Sequence, residues 1–542
     1  MNVCGRFVAR RLLLAVLALG FLARLSAAPF PGVDAKWRHY QSPNFEVFSR
    51  NSDSESRELL HNLELVHAIF FETFGFKPTR HVPITVFFFS RDKHFAYYKP
   101  EIYRKLENTA SVYSGGWDRG ILTIAPLPTY EAAQHLAFGG YSHHLFRLMD
   151  ANPPMWYSVG LSGILRNIEL TSESIELGKA QPDQVRELQQ ATLIPVEVLL
   201  GADTQSNVYL SNRTNDVVHH EAWALVHYLY FGQHKIPRER ISEFVNYALN
   251  HSRVFDAAAT RQQFRASLGF DYPVMDEKLR GYLSSGRYAW SRLPRPKIPP
   301  GKSYAVRTVS LEEIQLRLAE LAFRVNRAPE GKLALLQALN DTPAAARLYE
   351  ALGADALKDN DPDGAIDRWA RAREVGSSNP AVVHELVALE SRRRFQRFDL
   401  YFRMPDETAE QLRGLLTASI AQEPDYALAY EMLAWLEATA NEPKIKNINL
   451  VQQQFNRLQE KSRTLLALAV VRMRLNDKAG ALQLLDSLAE SEVSEWVEYG
   501  AEHTRAKLED RPVDRANLPE AQPRMSTPKL RISPMRKVQS GG

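Results

Sequence analysis

Phe138-Gly139-Gly140-Tyr141-Ser142-His143-His144-Leu145, followed by Pro153-Pro154-Met155-Trp156-Tyr157-Ser158-Val159-Gly160-Leu161-Ser162-Gly163, decides how the front half of this 542-residue chain is read. The region from about 129 to 286 reads as mainly helical, and Pro153-Pro154 interrupts it. Proline lacks the N–H that a helix interior needs, so the stretch predicts two helices joined at a tight turn. Further breaks fall at Pro182, Pro195 and Pro237. The pair Gly139-Gly140 is costly inside a helix, about 1 kcal/mol for each glycine relative to alanine.

Upstream, the pattern mixes strands with helices. Phe45 to Phe48 alternates as a strand, and Val82 to Phe89 is a β-rich apolar run. Arg57 to Phe74 between them has apolar residues at helical spacing. Ala110 to Tyr113 and Ile121 to Ala125 flank Ser114-Gly115-Gly116-Trp117-Asp118-Arg119-Gly120, which predicts a hairpin. The expected fold class is therefore α+β: a small mixed sheet with helices over about 36–290, then an all-α region.

Residues 291–310 hold Pro294, Pro296, Pro299 and Pro300, a density that predicts a semi-rigid linker. Ser310-Leu311-Glu312-Glu313 then opens a helix with a capping box. From 311 to 510 an imperfect repeat is visible. Leu352, Ala365, Trp369 and Ala372 recur at the same offsets as Leu468, Ala481, Leu485 and Leu488, and Pro424 to Ala434 adds another first-helix pattern. These resemble tetratricopeptide repeats, in which small residues let paired helices approach. An ordinary helical bundle is the alternative. Residues 511–542 are polar, proline-containing and mildly basic, and read as a disordered tail.

The first 27 residues read as a signal peptide: Arg6, Arg10 and Arg11, then apolar Leu12 to Leu22, then Ser26-Ala27-Ala28. The expected location is periplasmic or extracellular. Those residues contain four arginines and no acid, while the whole chain has 67 Lys plus Arg against 63 Asp plus Glu. Removing them balances the charge, so the field needed for nucleic-acid binding is absent. The one cysteine, Cys4, lies in the same segment, which leaves no disulfide or thiolate site. No later run reaches membrane-spanning length.

On the two quoted segments, the glycine-containing hairpin and the opening Trp37 to Ser49, the region from Trp37 to about Arg287 resembles the peptidase MA-like gluzincins. The resemblance extends to the late helix Glu221 to Leu229. In that family a first helix carries H-E-x-x-H, and a helix after a Pro-Pro-Trp turn supplies an acidic third ligand. Two histidines at i and i+4, about 6 Å apart on one helix face, share a tetrahedral zinc, and the glutamate acts on its water. The resemblance places Gly139 at the first ligand, Gly140 at the general base, Val159 at the third ligand and Gly163 at a later acidic position. Only His143 keeps its donor. Glycine and valine offer no lone pair, so the expectation is no metal, no cofactor and no catalytic residue. The glycine pair reads either as drift after lost selection or as an opened cleft floor for a bound chain.

Other histidines do not restore the site by spacing. His135 lies eight residues before His143, about 12 Å along a helix, and His220 and His227 are about 10 Å apart. His144 and His219 could join His143 only through tertiary folding. Trp117, Tyr141, Trp156 and Tyr157 are the candidate binding residues of the former cleft, beside a sheet edge where an extended peptide could add as a strand. The leading expectation is a pseudo-metallopeptidase that binds protein or peptide partners through this cleft and the repeats. An active hydrolase built on His143, His144 and His219, and an assembly factor acting through the repeats alone, stand as alternatives.

Overall fold

The computed structural model describes residues 30–512, apart from 75, 77, 79–80, 101–108, 127–128, 150–152, 204, 212–213, 233, 252–254, 327–328, 396–397, 425, 456–460 and 490–492. The expected signal peptide and almost all of the expected tail lie outside the described residues.

The chain opens with β1 (Arg38–Gln41) and β2 (Phe45–Ser49), then α1 (Asp53–Phe74), β3 (Ile84–Phe88), β4 (Ser111–Gly115) and β5 (Gly120–Ile124). With a late strand, β9 (Ala305–Thr308), these form a six-stranded sheet of order β4-β5-β3-β2-β1-β9. The β2–β3 and β3–β5 pairs are parallel and the rest antiparallel. Every residue of β3 and β5 is buried, as expected of central strands covered on both faces. Val47, Ile84, Val86, Leu122 and Ile124 pack against Leu59, Leu63 and Val66 of α1 and Ala133 and Ala137 of the next helix. Phe48, Phe87, Val112 and Ile121 point to the other side.

Next come α2 (Tyr130–Leu148), α3 (Met155–Arg166), β6 (Glu169–Leu170), β7 (Ser174–Leu177), α4 (Asn215–Phe231) and α5 (Arg238–His251), with further helices between and after them. Thr129 caps α2 by accepting from the Ala132 N–H at 3.2 Å. Pro154 precedes α3, so the predicted helix–turn–helix forms where the prolines placed it.

The predicted linker is not a linker. β8 (Ser291–Pro294) pairs antiparallel with β7. β9 (Ala305–Thr308) pairs with β1 and closes that edge of the large sheet. Pro294 ends an edge strand, where its missing N–H is tolerated. Arg57 of α1 donates to the Gly301 and Tyr304 carbonyls at 3.3 and 3.0 Å, fixing the intervening turn.

The boundary expected at 310 is also absent. α6 (Leu311–Asn326), capped by Ser310 Oγ accepting from the Glu313 N–H at 3.1 Å, buries Ile314, Leu318, Leu321 and Ala322 against Phe48, Phe87, Val112 and Ile121. The first helix of the rear half thus covers the second face of the front sheet. Beyond it the structure is all-helical, among the described residues apart from one isolated bridge. The repeat positions form helical hairpins: α7 (Ala346–Lys358) with α8 (Pro362–Glu374), and α9 (Ser462–Arg474) with α10 (Lys478–Ala489). All eight offset-matched residues from Leu352 to Leu488 are buried. No helix of the described residues is long and apolar enough to cross a membrane.

Candidate functional site: an open cleft

The front half holds an open cleft of about 1820 Å³. Edge strand β4 forms one wall with Ser111 and Tyr113, α2 contributes Gly139, Gly140 and His143, and α3 contributes Ser158, Val159, Ser162 and Arg166. The start of α4 supplies His219 and His220, and Tyr247 and His251 of α5 close the far side.

The four positions at which the resemblance expects zinc chemistry have separate fates. A Cβ on Gly140 would lie 2.5 Å from Leu122 Cδ1 and 2.9 Å from Ser111 Oγ. Glycine there lets α2 settle onto β4 and β5, and its missing side chain does not open the cleft floor. A Cβ on Gly163 would lie 3.0 Å from Trp223 Cβ, where α3 crosses α4. Gly139 is less confined, with Ser162 Oγ at 3.2 Å and Arg166 Cβ at 3.4 Å. Its carbonyl accepts from Ser142 Oγ at 2.6 Å and Ser162 Oγ at 2.8 Å. Val159 is buried in the apolar core. The helix cost of the glycines is therefore offset by close helix–sheet and helix–helix packing.

His143 points into the cleft, with Nδ1 3.0 Å from Ser158 Oγ and its ring stacked on Tyr113. Burial pulls its pKa down to about 4, so it is neutral at pH 7. His144, one residue on, faces the opposite way. Its Nε2–H donates to the Val82 carbonyl at 2.9 Å, and Nδ1 accepts from Tyr113 Oη at 3.0 Å. With both nitrogens engaged beneath the sheet, His144 cannot share an ion with His143. His219 stacks on Tyr209, and burial first, then the charges of His220 and His143, hold its pKa near about 4. His220 pairs with Glu187 at 3.2 Å and His135 with Glu131 at 3.8 Å. His227 is buried, bonded to Tyr282 Oη at 2.7 Å. Among the described residues no three His, Cys, Asp or Glu side chains converge as a metal site.

The candidate aromatics fare differently from the expectation. Tyr141 is 1% exposed and bonded to His67 Nδ1 at 2.6 Å. Tyr157 is fully buried, its hydroxyl 2.8 Å from that of Tyr230. Neither can touch a ligand; both are core residues whose hydroxyls are satisfied internally. Trp156 is 2% exposed and stacks on Phe244, backing the cleft from inside. Trp117 is exposed but sits at the β4–β5 turn, away from the cleft residues. Of the candidates only Trp156 belongs to the cleft lining, which it shares with the aromatics Tyr113, Tyr209, Tyr247 and Phe255. Tyr113 was accessible to sequence reasoning as part of the hairpin's first strand. Tyr247 and His251, stacked four residues apart on α5, carried only an i, i+4 spacing.

Sequence reasoning also missed Glu221, at the start of the late helix. Its carboxylate is buried and accepts from the Ile194 N–H at 2.8 Å. Burial drives its pKa up to about 8.

The chain matches no protein-family model and no curated protein.

Proposed function

We propose that the front half is a catalytically silent, peptidase-like fold that holds an extended peptide segment in its cleft, joined to a helical scaffold that presents further docking surface. One observation carries this reading: an open cleft runs beside β4, the end strand of its sheet, while the positions where the resemblance expects zinc chemistry carry packing. An end strand has unpaired backbone donors and acceptors along one side, which an extended peptide can satisfy. The resemblance to the peptidase MA-like gluzincins supports the same assignment, as does the leader-like start for an exported role.

The hydrolase alternative loses support from His144, which is turned away from His143 and engaged at both nitrogens. A test combines elemental analysis of protein purified without added metal with anisotropy titrations of labelled extended peptides. The reading expects no stoichiometric zinc and saturable peptide binding that an edge-blocking change in β4 weakens. Chelator-sensitive peptide cleavage would overturn it.

A further inference from the structure

The cleft lost its expected metal position but holds a cation of another kind. Arg166 ends α3, and its side chain projects into the cleft. Its Cβ lies 3.4 Å from where a side chain on Gly139 would begin, so it stands over the first vacated position. Among the described residues its guanidinium makes no ion pair and no hydrogen bond. The carboxylates around it are mostly committed: Glu187 to His220 at 3.2 Å, Glu131 to His135 at 3.8 Å, Glu169 to Lys179, and Asp203 to Ser206 Oγ at 2.7 Å. Asp216 remains, and it acts on the neighbouring His219 and His220.

A guanidinium presents five N–H donors in a planar fork that matches a carboxylate bidentately. Arg166 is exposed to the open cleft, and with no counter-charge engaged its fork is available to an incoming carboxylate. The acidic residues on the same walls repel a dianion or a polyanion, so one carboxylate between neutral or basic neighbours fits best.

We propose that Arg166, with His219 on the neighbouring helix, anchors one carboxylate of the extended peptide lying along β4. The carboxylate is either the peptide's own terminus or an Asp or Glu side chain. This assignment rests on the peptide-binding reading above, so the experiment separates the two.

Three labelled octapeptides of valine, threonine and alanine are titrated against the full chain by fluorescence anisotropy. One has a free C-terminal carboxylate, one is amidated, and one is amidated with an internal glutamate. The carboxylate peptides are expected to bind at least about tenfold tighter than the neutral one. Arg166→Gln should erase that preference, so that in the variant the carboxylate peptides bind no tighter than the neutral one. The tighter of the two carboxylate peptides identifies the source. Equal affinities in the natural protein, or a preference surviving Arg166→Gln, overturn the anchor. Should no peptide bind, the cleft reading fails, and an acetate titration followed at His219 by NMR with labelled histidine decides the anchor by itself. A saturable shift lost in Arg166→Gln upholds it, and no shift overturns it.

Discussion

Asp118, in the β4–β5 turn, and Arg324, near the end of α6, form a buried two-point ion pair at 2.7 and 2.8 Å across the two halves of the chain. The pair belongs to a larger network. Glu320 accepts from Arg324 at 2.8 Å and from Arg347 at 2.9 Å, and Arg347 reaches Glu46 of β2 at 2.6 Å. Asn379 donates to the Asp118 carbonyl at 2.9 Å. Burial opposes the charge on Glu46, yet Arg347 and Arg119 hold its carboxyl well below the usual range. Removing one partner leaves a buried charge uncompensated. Arg324→Met should therefore cost about 3–5 kcal/mol, read by urea denaturation, and Asp118→Asn/Arg324→Met should cost less than the two single changes summed.

The network and the α6 packing together predict the behaviour of a truncated chain. A fragment ending at residue 310 loses the cover over Phe48, Phe87, Val112 and Ile121. It should be expanded and bind a hydrophobic dye, whereas a fragment ending at 512 should remain folded. Tight, dye-free behaviour of the short fragment, read by size-exclusion chromatography and dye fluorescence, would restore the boundary that the sequence suggested.

Gly139 and Gly140 separate by substitution. Gly140→Ala places a methyl 2.5 Å from Leu122 Cδ1 and should cost about 1–3 kcal/mol, as overpacking does. Gly139→Ala meets only contacts of 3.2 Å and longer, and alanine's better helix propensity offsets them, so its change should stay within about 1 kcal/mol. Thermal melts of the two variants read the difference. A variant that introduces the ligands expected from the resemblance through Gly139→His and Val159→Glu is therefore the practical one, because Gly140→Glu has no room.

Glu221 predicts a pH dependence of the opposite sign to an ion-paired acid. Its folded pKa, raised to about 8, exceeds the unfolded value, so between about pH 4.5 and 8 the folded state binds the extra proton. Stability should fall as pH rises through that window, by up to about 1.4 kcal/mol per pH unit from this group. Glu221→Gln should flatten the decline in denaturation curves taken from pH 5 to 8. His143 and His219, with folded values near about 4, act at the acid end: their contribution is full above about pH 6.5 and is lost toward pH 4.

Local pattern located β2, β3, the β4–β5 hairpin, α1 and the α2–α3 pair because each repeats a period within a few residues. It failed at 291–310, where Pro294 lies in a strand whose partner Ser174 is far away in sequence. It failed again at Tyr141 and Tyr157, since an aromatic beside a vacated ligand reads alike whether it faces the cleft or the core. The partners that settle the matter, His67 and Tyr230, come from other elements. Arg166 was silent for a related reason: an arginine ending a helix is ordinary, and only the surrounding walls give it meaning.

The two helical hairpins share a turn that their matching offsets only hinted at. Asn360, between α7 and α8, has φ 59°, and Asn476, between α9 and α10, has φ 60°. The next residue caps the following helix in both: Asp361 accepts from the Gly364 N–H at 2.9 Å, and Asp477 from the Gly480 N–H at 2.9 Å. Asparagine tolerates the left-handed region better than other residues with a Cβ, and glycine enters it freely. Asn360→Ala and Asn476→Ala should each cost about 1 kcal/mol, while the glycine variants should stay near the natural stability. Asp361→Ala and Asp477→Ala should each cost about 1 kcal/mol more through the lost cap. Unequal losses at the two turns, measured by urea denaturation, would show that the hairpins are not structural copies of one unit.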